Sequence, residues 1–100
     1  MAKGINLGRE IDADENGSEV TWPGGDGTLH AGGTWNGATI TLQYKPVIFD
    51  TSKTQQWAST DVILTESVPI LGFSLGAGSL RYVTTSTGGS TDLDLTVTKA

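Results

Sequence analysis

The chain has 100 residues, a length that suits one domain (1–100) with a single modest core. It contains no cysteine, which excludes internal disulfides and thiolate chemistry. Asp and Glu number 11 against 6 Lys and Arg, so the formal net charge is −5. This balance argues against nucleic-acid and anionic-membrane partners, because both need clustered basic residues. We also expect no secretory leader and no membrane span, because no apolar run is long enough.

The first segment, Lys3–Ile11, alternates apolar and polar residues and predicts a strand. Arg9 interrupts its apolar face. Two interpretations follow for residues 1–12. They form an ordinary edge strand that Arg9 protects from further pairing, or an extended arm that lies on a neighbouring subunit.

An acidic loop, Asp12-Ala13-Asp14-Glu15-Asn16-Gly17, follows the first strand and matches the opening of a calcium-binding loop. Calcium prefers oxygen ligands at alternate positions and a glycine at the sharp turn. The match ends there, since the twelfth position, where a bidentate Glu is expected, holds Pro23. The alternative is a plain Asp/Asn/Gly turn, which is a common structure.

The middle of the chain predicts the centre of a sheet. Ser18–Trp22 is a short strand, the glycine-rich stretch 23–27 is a turn, and Thr28–Trp35 is the next strand. Asn36-Gly37 is a strong hairpin signal, because both residues tolerate positive φ. We therefore expect the segment ending at Trp35 to fold back on Ala38–Lys45, where Ala, Ile, Leu and Tyr alternate with polar residues.

The remaining sequence predicts further short strands separated by turns. Their approximate positions are an edge piece at 47–49, a strand beginning at 57–58 and continuing through 61–65, and strands at 71–75, 79–85 and 92–98, with a polar loop at 50–56. Seven to nine short strands with no helical periodicity predict an all-β fold. We expect an antiparallel β-sandwich, jelly-roll or immunoglobulin-like in strand order.

The sequence indicates no catalytic, cofactor-binding or metal-ligating residues. His30 is the one histidine, lies in a predicted strand, and has no neighbouring nucleophile motif. The aromatic residues allow two interpretations. Trp22, Trp35 and Trp57, with Tyr44, could form a stacking platform for sugars, or they belong to the core. We expect Trp35 and Tyr44 in the core and Trp22 partly exposed.

Two segments together resemble small all-β proteins encoded among bacteriophage virion genes. Gly33–Gln43, with the sequence GTWNGATITLQ, is similar to their G-T-W-x-G-A-T-x-T-L-Q segment, and Leu75–Arg81 is similar to their L-P-A-G-x-x-R turn, with Gly76 in place of proline. Trp57 and the strand 62–65 fall where that group has a Trp-containing strand and an L-T strand.

The resemblance implies a virion structural protein without enzymatic activity, most concretely a capsid decoration or cement protein. It implies the major capsid protein or other virion proteins as partners, a homo-oligomer (dimer or trimer), and a place on the capsid surface after assembly in the host cytoplasm. The alternative function is a carbohydrate-binding or adhesion β-sandwich on a tail fibre or another host-facing appendage.

Overall fold

The fold is all-β in a computed structural model that describes residues 3–46 and 57–99. The strands, in chain order, are β1 (Lys3–Ile11), β2 (Glu15–Asn16), β3 (Val20–Trp22), β4 (Gly25–Thr34), β5 (Thr39–Pro46), β6 (Ala58–Leu64), β7 (Ile70–Leu75), β8 (Gly78–Thr85) and β9 (Asp92–Lys99). The expected edge piece at 47–49 and polar loop at 50–56 lie outside the described residues.

The strands form two antiparallel sheets that pack face to face as a β-sandwich. The first sheet has the order β1-β9-β4-β7. The second has the order β8-β5-β6, with the short strands β2 and β3 both paired along the outer side of β8. The predicted antiparallel sandwich is therefore confirmed.

The pairing is nested, so the sheets resemble one long hairpin rolled on itself. β1 pairs with β9, β3 with β8, β4 with β7 and β5 with β6. Pairing of β4 with β9 and of β5 with β8 then joins the successive layers of the roll. This nesting is the jelly-roll arrangement, and it decides between the two strand orders that the sequence left open.

Alternation along the strands supplies the core. The inward residues of the first sheet include Leu29, Leu93, Leu95 and Val97, and those of the second include Ile40, Leu42, Leu64 and Leu80; all eight are fully buried. Successive side chains of a strand point to opposite faces, so a period of two gives each sheet one apolar face. The alternation predicted for Ala38–Lys45 is confirmed, because Ile40 and Leu42 point into the core.

The predicted hairpin between Trp35 and Ala38 is wrong in its pairing, although its turn chemistry is right. Asn36 and Gly37 do have positive φ, of 45° and 89°, and the Ala38 amide donates to the Trp35 carbonyl at 2.9 Å. However, β4 pairs with β7 and β9, whereas β5 pairs with β6 and β8. The turn is thus a corner at which the chain leaves one sheet for the other.

Lys3–Ile11 forms β1, which pairs with β9 of its own chain at one edge of the first sheet. The pairing register shifts twice, between Asn6 and Gly8 and between Gly8 and Ile11. Arg9 is exposed beside Glu10, which has a positive φ of 50°. These irregularities and charges protect the edge from further pairing.

Candidate functional site

The acidic loop is fastened to the turn that follows β8. The Asp14 carboxylate accepts hydrogen bonds from the backbone amide of Thr87 at 2.9 Å and from its hydroxyl at 2.8 Å. The bond from the Thr87 amide has the larger effect and the bond from its hydroxyl the next; both lower the pKa of Asp14 below its ordinary value. The loop carboxylate therefore holds two segments that are far apart in sequence.

Glu15, the next loop residue, is fastened to β8 itself. Its carboxylate accepts a hydrogen bond from the Tyr82 hydroxyl at 3.0 Å. The Tyr82 ring is buried between Gly8 and Gly17, and the Gly17 amide donates to the Tyr82 carbonyl at 2.7 Å. Burial, and then the Glu15 carboxylate, raise the pKa of Tyr82 to about 12.

The calcium option for this loop receives no support from the geometry. Asp14 and Glu15 turn their oxygens to Thr87 and Tyr82 rather than to a common point. Within residues 3–46 and 57–99, no group of three or more His, Cys, Asp or Glu side chains could hold a metal ion. The loop carboxylates instead brace the sandwich.

An open acidic depression lies beside the loop and has a volume of about 400 Å³. Its lining residues come from the end of β1 and from the start of β9 with the turn before it: Glu10, Asp12, Gly89, Ser90, Thr91 and Asp92. The backbone amide of Glu10 also donates to the Asp94 carboxylate at 3.0 Å. Sequence reasoning missed this grouping, because its two halves lie about eighty residues apart and meet only through the pairing of β1 with β9.

The tryptophans do not form a platform. Trp22, expected to be partly exposed, is 0% exposed, so that prediction is wrong. Gly27 explains the burial, since a Cβ there would lie 2.6 Å from the Trp22 ring; the missing side chain leaves the space that the indole fills. Trp35 is buried as predicted, and Tyr44 is half-buried against the core.

Trp57 is the partly exposed tryptophan, and it lies among polar side chains of the second sheet. The Lys45 ammonium is 5.0 Å from its ring centroid and the Arg81 guanidinium 4.6 Å. Both are cation–π distances. Arg81 also donates to the Gln43 side-chain oxygen at 2.7 Å. This outer face therefore presents one aromatic ring with two cations at cation–π distance.

Glu19, a third carboxylate that links distant segments, shares Lys45 with this ring. Glu19 accepts a hydrogen bond from the Ser79 hydroxyl at 2.8 Å and forms an ion pair with Lys45 at 3.3 Å. The Ser79 bond, and then Lys45, lower the pKa of Glu19. The segment before β3 is thereby tied across β8 to β5.

No family model, no curated protein and no solved structure matches this chain. Among the helices and strands described, there is no helix of the length and apolarity that a membrane crossing requires. The argument for function therefore depends on the residues and on their geometry.

Proposed function

We propose that this chain is a bacteriophage virion structural protein, most concretely a capsid decoration or cement protein. It would bind the assembled head shell and hold adjacent capsid subunits together. The resemblance of Gly33–Gln43 and Leu75–Arg81 to small all-β virion proteins supports this proposal. The major capsid protein is then the expected partner, and the capsid surface the expected location.

The observation that carries the proposal is the use of charged side chains as braces. Asp14, Glu15 and Glu19 each accept hydrogen bonds from a segment distant in sequence. Such bracing favours a rigid body that acts through its shape. A rigid module repeated over a symmetric shell gains strength from many weak contacts, since neighbouring contacts on one particle act together. A dimer or trimer would match the symmetry axes of a capsid.

Mass spectrometry and cryo-electron microscopy of purified particles test the proposal. We expect the protein in particles of the phage that encodes it, with density for a jelly-roll domain on the outside of the shell. Particles of a phage whose genome lacks the gene should still assemble, but they should release their genome at a lower temperature than wild-type particles. If purified particles lack the protein, the proposal is wrong.

The second candidate function is a carbohydrate-binding module, and Trp57 is the observation that favours it. A partly exposed indole with hydrogen-bonding neighbours such as Gln43 and Arg81 could stack on a sugar ring. Glycan-array binding that disappears in Trp57→Ala and persists in Val68→Ala, a substitution at another exposed apolar side chain, would support this function. An array without any bound glycan would argue against it.

A further inference from the structure

The sandwich has four sheet edges, and three of them are protected against pairing. The β1 edge has two register shifts and the charged residues Arg9 and Glu10. The edge formed by β2 and β3 is broken into two short pieces. The β6 edge has a register shift in its pairing with β5 and carries Asp61. Charges, interruptions and bulges are the usual means of preventing edge-to-edge association.

The fourth edge, β7, lacks these features. Its sequence, Ile70–Leu75, contains no charged residue and no proline, and it pairs with β4 in an unbroken register. Ile70 is 54% exposed, the largest exposure among the large apolar side chains described. Within the described part of the chain, no strand pairs with the outer side of β7. A regular uncharged edge is a template for another strand.

The hydrogen-bonding direction of β7 follows from its pairing. The Ala31 amide of β4 donates to the Pro69 carbonyl at 3.0 Å, just before β7 begins. The N–H and C=O groups of successive residues point to opposite sides of a strand. Leu71 and Phe73, two and four residues after Pro69, therefore point their amides and carbonyls toward β4 as Pro69 does its carbonyl. Ile70, Gly72 and Ser74 then turn their amides and carbonyls outward.

We propose that β7 is an interface between two copies of this chain, in which the two β7 strands pair antiparallel about a two-fold axis at Gly72. In this register Gly72 lies opposite Gly72 of the second copy, and Ile70 lies opposite Ser74. Every outward amide of these residues then meets an outward carbonyl. On the inner face, Leu71 of one copy lies opposite Phe73 of the other. Such an aromatic–aliphatic cross-strand pair stabilises a sheet.

If two copies meet, charge favours the β7 edge as their meeting point, because β7 is the longest edge strand without a charged residue among those described. Two chains of net charge −5 repel each other, so their closest approach is most favourable where neither carries a charge. The β7 strand meets that condition along its whole length. The identical strand also offers the same alternation of donors and acceptors, as a two-fold interface requires. The two first sheets would join into one continuous sheet.

Gly72 provides the test, because the fold itself does not need a glycine there. A Cβ at Gly72 would meet nothing closer than 3.7 Å, and Gly32, on β4 of the same sheet, has nothing within 4 Å. Gly72→Lys places two like charges at the axis, whereas Gly32→Lys adds the same charge away from it. Light scattering coupled to gel filtration should give twice the 10.4 kDa chain mass for the wild type and Gly32→Lys, and a halved mass for Gly72→Lys.

A cysteine pair gives a second readout, since the chain has no cysteine of its own. Opposed residues in an antiparallel pair have Cα atoms about 5.5 Å apart, within disulfide range. Gly72→Cys should form a disulfide-linked dimer under mild oxidation, whereas Gly32→Cys should keep the non-covalent dimer and form no disulfide between its two chains. A monomeric wild type at millimolar concentration, or an oligomer that survives Gly72→Lys, would overturn the proposal. These measurements use the free protein, so their result is independent of whether virions contain it.

Discussion

Trp22 and Phe73 belong to opposite sheets, and their ring centroids lie 5.1 Å apart at an interplanar angle of 49°. The Trp22 indole also donates to the Leu75 carbonyl at 3.4 Å. The contact therefore joins β3 of the second sheet to β7 of the first, and Gly27 leaves the space for both rings. A tilted aromatic pair of this kind adds to the stabilisation that burial already gives.

We expect Trp22→Ala to lower the free energy of unfolding by about 3–5 kcal/mol, because a large buried side chain is lost and a cavity remains. Trp57→Ala is the matched control. It loses two cation–π contacts at a partly exposed ring, worth about 1 kcal/mol together. Urea denaturation of the two variants measures the difference. Equal losses would contradict the burial of Trp22.

Gly17→Ala should destabilise the protein by about 1–3 kcal/mol through overpacking. The added methyl group would overlap the Tyr82 ring, which cannot move away because Gly8 borders it and Glu15 holds its hydroxyl. Gly89→Ala is the control, since a Cβ there meets nothing within 4 Å. Thermal unfolding monitored by circular dichroism should separate the two. A Gly17→Ala variant as stable as Gly89→Ala would rule out this packing of Tyr82.

Thr84→Val should raise the free energy of unfolding by about 1 kcal/mol. Thr84 is 1% exposed, and its hydroxyl has no hydrogen-bond partner among the residues that the structure describes. Valine removes that unsatisfied group and keeps the shape.

Thr91→Val is the matched comparison and should lower the free energy of unfolding by about 1–3 kcal/mol. Its hydroxyl is also buried, but it donates to the Trp35 carbonyl and accepts from the Gly88 amide, both at 2.9 Å. Denaturant titration of both variants measures whether each substitution raises or lowers the free energy of unfolding. The prediction fails if Thr84→Val is the more destabilising one.

The free energy of unfolding should fall between pH 10 and pH 12 because of Tyr82. Its pKa is about 12 in the folded protein, against about 10 for an ordinary tyrosine in the unfolded chain. The folded state therefore keeps its phenol proton where the unfolded state has lost it. The stabilisation is fully present below pH 10 and is lost as the pH rises through 12.

Tyr82→Phe removes this ionisation and should flatten the pH dependence of the free energy of unfolding over that range. Glu15→Gln should lower the pKa of Tyr82 only in part, because burial, the larger cause, remains. Ultraviolet difference spectra of tyrosinate formation measure both changes. An unchanged pH dependence in Tyr82→Phe would assign the effect to another group.

The sequence predicted the strands better than it predicted their partners. Alternation in Asp92–Lys99 and Lys3–Ile11 reports directly which face is apolar, and both strands form as expected. Asn36-Gly37 shows the limit. Its positive φ values follow from residue chemistry, which is local, whereas the choice of sheet depends on packing with residues far along the chain.

The candidate site shows the same division between local and distant information. The acidic loop was visible in the sequence, but its partners Tyr82 and Thr87 were not, because no periodicity links residues about seventy positions apart. The burial of Trp22 is hidden from the sequence for a related reason. Its neighbouring turn suggested exposure, and the space that buries it comes from Gly27 and Phe73 on the opposite sheet.

The nested order of strands also determines when this protein can fold during synthesis. β9 lies between β1 and β4, so the first sheet stays incomplete until the ribosome has released the chain as far as Lys99. Until then the apolar faces of β1 and β4 have no central strand to join them. The first sheet therefore cannot form before β9 has been synthesised, and we expect the nascent chain to need shielding from its neighbours on the same messenger until then.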